Sequence, residues 1–179
     1  MISALARLVL LGGAAVAAPA QGVWIDVPYV RQTDKACGAA TTSMLLRYWA
    51  AQGFKVEHAE TDVEDLHARL SPKGRKGATG SALERLLTDA GLRVFVFAGD
   101  YGDLEKHVAA GRPVAVAIEP PRGGLFHFAL VVGLDPETDA VLVNDPARRK
   151  LTRYDRKEFI EAWKAARSWT LLGVPADAP

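Results

Sequence analysis

The sequence predicts an α+β fold with a largely antiparallel sheet. Helical periodicity fills the first half of the chain and short β-rich apolar runs fill the second. Turn chemistry joins those runs as sequence neighbours, and neighbours joined by short turns pair antiparallel. The 179 residues are one domain's worth of chain plus a processing segment, 49% hydrophobic and 24% charged. That is ordinary globular composition, which excludes a disordered tail and a disulfide-dense miniature.

Residues 1–20 (MISALARLVLLGGAAVAAPA) carry Arg7 near a free amine, an apolar run from Leu8 to Ala18, and small residues Ala18 and Ala20 at the end. This is the pattern of a cleaved signal peptide. The apolar run is about half the ~20 residues a spanning helix needs, so no stable membrane insertion is expected after cleavage. Residues 21–179 then form a single domain, working in the periplasm or outside the cell. The chain has 22 basic and 21 acidic residues; Arg7 is the one charge in the leader, so the rest balances at 21 against 21. Phosphate-binding domains are strongly basic, and nucleic acid is excluded as a partner on that ground.

Each element follows from local pattern. Residues 24–30 (WIDVPYV) form an extended opening segment, with Pro28 marking a sheet edge or the strand's end. Residues 38–51 have helical spacing, with Ala40, Met44, Leu45 and Tyr48 on one stripe. Residues 61–70 form a second helix that buries Val63, Leu66 and Leu70. Residues 71–80 (SPKGRKGATG) are a flexible basic loop whose Lys73–Lys76 part lacks the phosphate-loop pattern and reads as solvated. A third helix starts at Ser81 in a capping box with Glu84, buries Leu83, Leu86, Leu87 and Ala90, and stops at Gly91. Strands are expected at 92–98 and 114–118, flanking a helix at 102–110. Two more, 125–134 and 140–145, are joined by Asp135-Pro136-Glu137-Thr138-Asp139, a connector of hairpin length and turn composition. A strand at 150–154, a helix at 155–166 with an Asp155-x-x-Glu158 start, and a last strand at 168–174 complete the chain.

The chemistry centres on Cys37, the only cysteine. Alone in an oxidising compartment it cannot form an internal disulfide. It sits at the head of the first helix, where free N–H groups and the positive end of the dipole stabilise a thiolate, and Gly38 leaves the sulfur accessible. A nucleophilic cysteine needs a base. His58 and His67 lie in a charged, solvated stretch, and His107 lies beside Glu105 and Lys106, so surface roles suit all three. His127 instead opens the apolar run FHFALVVGL. Pairing Leu134 with Ala140 in the hairpin sets Ala129 opposite Asp145, so that His127 and Asp145 share a face as diagonal neighbours. Asp145 can then orient the imidazole as a triad's third member. A one-residue slip would present Asn144, the reserve for that position. Gln32 carries a side-chain amide that can complete an oxyanion hole with the Cys37 N–H. No pair of His or Cys residues has metal-ligand spacing, and no metal or cofactor is expected.

The stretches VPYVRQTDKACGAATTSMLLRYW, HFALVVGLD and VLVNDP resemble the bacteriocin-processing, or double-glycine leader, cysteine peptidases of papain-like fold. The chain is most similar to their stand-alone relatives. A strand and a helix with Phe159 and Trp163 match that family's closing segment, and the resemblance runs from Val27 to Pro175. It implies a peptide or protein substrate and an acyl-enzyme mechanism. Cys37 would be nucleophile, His127 base and acid, Asp145 its orienting partner, and Gln32 the oxyanion donor. Two departures are Ala36, where many members carry an acidic or bulky residue, and Ala39, where many carry proline. Gly123-Gly124 reads as a flexible loop shaping the site. A peptide-binding module with a silent triad and an acyltransferase are the other functions the same residues fit.

Overall fold

The computed structural model describes residues 22–71, 77–120 and 123–178. The predicted signal segment and the core of the basic loop lie outside the described residues. Strand β1 (Val23–Trp24) is followed by an irregular stretch and then α1 (Cys37–Ala51), α2 (Val63–Leu70) and α3 (Gly80–Asp89). Next come β2 (Leu92–Ala98), α4 (Tyr101–Ala109), β3 (Val114–Ile118), β4 (His127–Asp135) and β5 (Ala140–Asn144). Strand β6 (Thr152–Asp155), α5 (Arg156–Ala165) and β7 (Trp169–Pro175) complete the fold. The seven strands form one sheet, ordered β2-β7-β3-β4-β5-β6 with β1 paired to β4. Every strand pair in it is antiparallel.

The predicted α+β class and every predicted helix are present. The exceptions lie at the ends. The third helix starts one residue early, because Thr79, not Ser81, caps it by accepting a hydrogen bond from the Ala82 N–H. The expected Ser81–Glu84 capping box does not form. The second helix begins at Val63 rather than residue 61. The extended opening segment pairs only at Val23 and Trp24, with one further bond from the Ile25 N–H to the Val132 carbonyl. His107, expected at the surface, is buried at the end of α4, where loss of solvation depresses its pKa.

The β4–β5 hairpin shows why its register matters. Leu134 pairs with Val141, not with Ala140, so the hairpin tip is one residue tighter than expected. The Asp135 carboxylate accepts from the Glu137 and Thr138 N–H groups, an Asx turn that lets Asp135 itself stay in the ladder opposite Ala140. A bulge between Val131 and Gly133 then takes up the difference. Beyond it Val131 pairs with Val143 and Leu130 with Asn144, the register expected for the site end of the hairpin. Gly133 belongs at the bulge for steric reasons: a Cβ there would meet Trp24 Cβ at 2.8 Å and the Val23 carbonyl at 2.9 Å, where β1 crosses.

Helix α1 is buried along 11 of its 15 residues, wider than a single stripe. It lies against β4 and β7 with α2 and α3 beside it. Its far end is pinned where the Trp49 indole N–H donates to the Gly173 carbonyl at 2.9 Å. Helix α5 lies against β3, β5 and β6. Asp155 caps it through the Lys157 and Glu158 N–H groups, and it buries Phe159 and Trp163 completely or nearly so. Replacing Phe159, at 0% exposure, with Ala removes a ring that contacts both Trp163 and Tyr154. We expect a loss of about 3–5 kcal/mol in urea unfolding, the range for a buried phenylalanine.

Candidate active site

Three chain segments meet at one groove. Cys37 is the first residue of α1, His127 the first of β4, and Asp145 the first residue after β5. The groove they line has a volume of about 1130 Å³ and also receives Gln32, Phe126 and Tyr154. Ala36 caps α1 with no side-chain hydrogen bond, and the first turn holds no acidic residue. The N-terminal N–H groups of the helix are thus not taken up by a side chain at the position of the sulfur. Gly38 is required there, since a Cβ would meet Ala78 Cβ at 2.7 Å.

His127 stands between the other two groups. Its Nε2 lies 2.7 Å from Asp145 Oδ1, and its ring interacts with the Cys37 thiol, each shifting the other's pKa. With Nε2 taken by the carboxylate, Nδ1 is the nitrogen left for the sulfur. The Asp145 carboxylate is 2% exposed. Its Oδ1 also accepts the Ala147 N–H at 2.9 Å. Its Oδ2 accepts the Tyr154 hydroxyl at 2.7 Å and lies 3.6 Å from Arg148 Nε.

Electrostatics follow from these contacts. Burial pushes the Cys37 thiol up, but the His127 hydrogen bond, the Phe128 and Gly38 N–H groups and the imidazolium charge outweigh it, and the net shift is downward. Burial likewise disfavours charge on His127. The bonds and charges of Asp145 and Cys37 reverse this and push the imidazole up to about 9. Burial raises the Asp145 carboxyl, and its bonds to His127, Tyr154 and the Ala147 N–H hold it below the usual range all the same. Each group thus favours the charged form of its neighbour: the thiol moves down, the imidazole up and the carboxyl down.

The remaining sequence-predicted residues occupy two different roles. Gln32 lines the same groove; its N–H donates to the Pro146 carbonyl at 3.0 Å, and its side-chain oxygen is buried with no partner among the described residues. Asn144, the reserve third member, is fully buried and committed elsewhere. Its Nδ2 donates to the Val27 carbonyl at 3.4 Å and its Oδ1 accepts the Leu151 N–H at 3.0 Å. Adjacent strand residues point to opposite faces, so Asn144 anchors the turn that presents Asp145. Gly123 and Gly124 adopt φ of +68° and +111° beside the groove. Among the described residues, no group of three His, Cys, Asp or Glu side chains is arranged to hold a metal.

Sequence reasoning missed Tyr29, Arg148 and Tyr154. The Tyr29 hydroxyl donates to the Asp145 carbonyl at 3.1 Å, and with the Gln32 bond to Pro146 it ties the segment before α1 to the Asp145 turn. Tyr154 was within a predicted strand, but its facing depends on the length of the turn between β5 and β6, and residue spacing does not fix that length.

A helix-headed cysteine and a strand-borne histidine, set in this order of helices and antiparallel sheet, define the papain-like cysteine peptidase fold. The sequence matches the Peptidase_C39 like family over residues 24–170, and the chain belongs to that family. Its fold is similar to a C39-like peptidase from Bacillus anthracis at TM-score 0.66 and 20% identity, over 87% of this chain and 98% of that one. It is similar to the peptidase domain of Streptococcus ComA, a bi-functional ABC transporter involved in a quorum sensing pathway. That match has TM-score 0.64 and 19% identity, over 84% and 99% of the two chains. A double glycine motif protease from an AMS/PCAT transporter, solved with its leader peptide, matches at TM-score 0.61 and 18% identity, over 88% and 99%. No curated protein matches the sequence.

The lowered thiol has a direct readout in Cys37 alkylation by iodoacetamide. We expect fast reaction well below pH 8, where an ordinary thiol of pKa about 8.5 is mostly protonated. In His127→Ala the largest lowering partner is gone while burial remains. The reaction should then need higher pH than in the wild type, and a profile identical to wild type would contradict the pairing.

Proposed function

We propose that the protein is an exported cysteine peptidase that hydrolyses a peptide bond through Cys37, His127 and Asp145, with Gln32 as oxyanion donor. The observation that carries this reading is the position of His127, interacting on one side with a helix-head thiol and hydrogen-bonded on the other to a buried carboxylate. The Cys37 thiolate attacks the substrate carbonyl carbon and a C–S bond forms. The carbonyl electrons move to oxygen, where the Cys37 N–H and the Gln32 amide stabilise the charge. The oxyanion collapses, the C–N bond breaks, and the His127 imidazolium gives its proton to the departing amine. Water, deprotonated by the now neutral His127, attacks the thioester. The acid product leaves, and Cys37 and His127 return to the ion pair.

A peptide substrate is supported by the groove of about 1130 Å³ that holds Cys37 and His127 and by the leader-peptide complex of the double glycine motif protease. The exposed Leu125 and Phe126, immediately before His127, give one wall of the groove an apolar lip. Screening residues 21–179 against a peptide library, with Cys37→Ala as control, should find cleaved peptides only with the native cysteine. Cleavage of the same peptides by Cys37→Ala would refute the assignment.

The alkaline limb of hydrolysis should fall near pH 9, where His127 loses the proton the leaving amine needs. Iodoacetamide requires no such proton, so its rate should not fall there; a matching fall in both would assign the limb to unfolding instead. For export, mass spectrometry of the protein recovered outside the cytoplasm should give an N-terminus at Gln21, and an intact Met1 there would refute cleavage.

A further inference from the structure

Tyr154 touches neither the sulfur nor the imidazole in any contact described above, yet it holds the one carboxylate oxygen that His127 does not use. The terminal torsion of an aspartate is broad and nearly two-fold. Donors on Oδ1 alone, here His127 Nε2 and the Ala147 N–H, leave the carboxylate plane free to turn about that oxygen. A donor on Oδ2 removes that freedom. The Tyr154 hydroxyl supplies it at 2.7 Å.

The hydroxyl is itself held firmly. Tyr154 lies on β6, paired with Val141 of β5. Its ring meets the edge of the fully buried Phe159 at 6.3 Å on one element, and the Arg148 guanidinium lies 5.2 Å from its centroid on another. Burial and the neighbouring Asp145 charge push its pKa upward, so it remains a donor throughout the working range. The charged and titratable groups facing Asp145 are His127 from β4, Arg148 from its own turn, Tyr154 from β6, and Tyr29 from the segment before α1. Tyr29 bonds the Asp145 main-chain carbonyl, and Arg148 stands 3.6 Å away with a half-exposed side chain. Among the described residues Tyr154 alone makes a hydrogen bond to Oδ2.

We propose that Tyr154 is a positioning residue for the reaction: its hydroxyl fixes the plane of the Asp145 carboxylate and so holds the His127 ring in line with Cys37. This rests on the peptidase reading above. The test is Tyr154→Phe, which removes one oxygen and leaves the ring packing in place, with folding checked by circular dichroism. Iodoacetamide alkylation of Cys37 at pH 7 should slow about tenfold, the scale of one lost hydrogen bond to a charged group. The acid limb of the alkylation profile should move to higher pH, because a His127 ring out of line with the sulfur gives the thiolate less support. In an Asp145→Asn background, Tyr154→Phe should cause no further slowing, since the two residues act through one another. A folded Tyr154→Phe protein with the wild-type rate and profile, or one whose effect adds in full to Asp145→Asn, overturns the proposal.

Should Tyr154→Phe fail to fold, 3-fluorotyrosine at position 154 retains the shape and strengthens the donor. It should move the acid limb to lower pH, and an unmoved limb overturns the proposal. Failure of the peptidase reading gives a different result: the wild-type thiol itself would then react slowly, and His127→Ala would not change it.

Discussion

A carboxylate removed from water stays ionised only if its lone pairs are filled, and the Asp145 carboxylate is 2% exposed. It is supplied from three places: β4 through His127, its own turn through the Ala147 N–H, and β6 through Tyr154. Each donor depends on a different piece of the fold. The β3–β4 ladder sets His127 opposite Ile118, the Asn144 side chain ties the turn to Val27 and Leu151, and Phe159 backs Tyr154. The charge on Asp145 in turn keeps the imidazole protonated, and the imidazolium favours the thiolate. The pKa of the sulfur thus depends on a residue distant along the chain that the fold brings to the same groove.

The helix contributes the rest. With Cys37 at its first position, the N–H groups of Gly38 and Ala39 belong to the turn that has no intrahelical acceptors. This explains one departure from the resembled family. Proline in the first turn loses no hydrogen bond, so Ala39 and proline are interchangeable in bonding terms, and Ala39 keeps one extra free N–H. The other departure is steric. Ala36 is fully buried, and a larger or charged side chain would need room or solvent that this chain does not provide.

Most of the fold was legible because its signals are local. The periodicity of α1 and of α5, the apolar run of β4 and the turn composition of 135–139 each identify their element without knowledge of the others. Cys37, His127 and Asp145 meet because a pairing rule survives transmission along two strands. That pairing was right at the site and wrong at the hairpin tip. The Asx turn at Asp135 shortens the loop, the bulge near Gly133 restores the count, and neither has a signature in residue spacing. Thr79 as a cap was missed for a similar reason, since Ser81 offers the same hydroxyl two residues on. Tyr154 and Tyr29 were invisible because their roles are long-range hydrogen bonds, and a tyrosine inside a strand or loop carries no mark of the partner its hydroxyl will find.

The geometry also bears on which acceptor clears the acyl-enzyme. A transferase must present an amine to the thioester more often than water arrives, which requires a site that closes or a pocket that holds the amine. In this chain Leu125 and Phe126 beside His127 are 68% and 50% exposed, and they line the same groove as Cys37 and His127. In the proposed mechanism His127, having given up its proton to the first leaving group, is in the correct state to activate a water. Hydrolysis thus needs nothing beyond the groups already aligned by Asp145, whereas transfer needs an additional binding element. The proposed peptidase activity is for this reason the more economical use of the site.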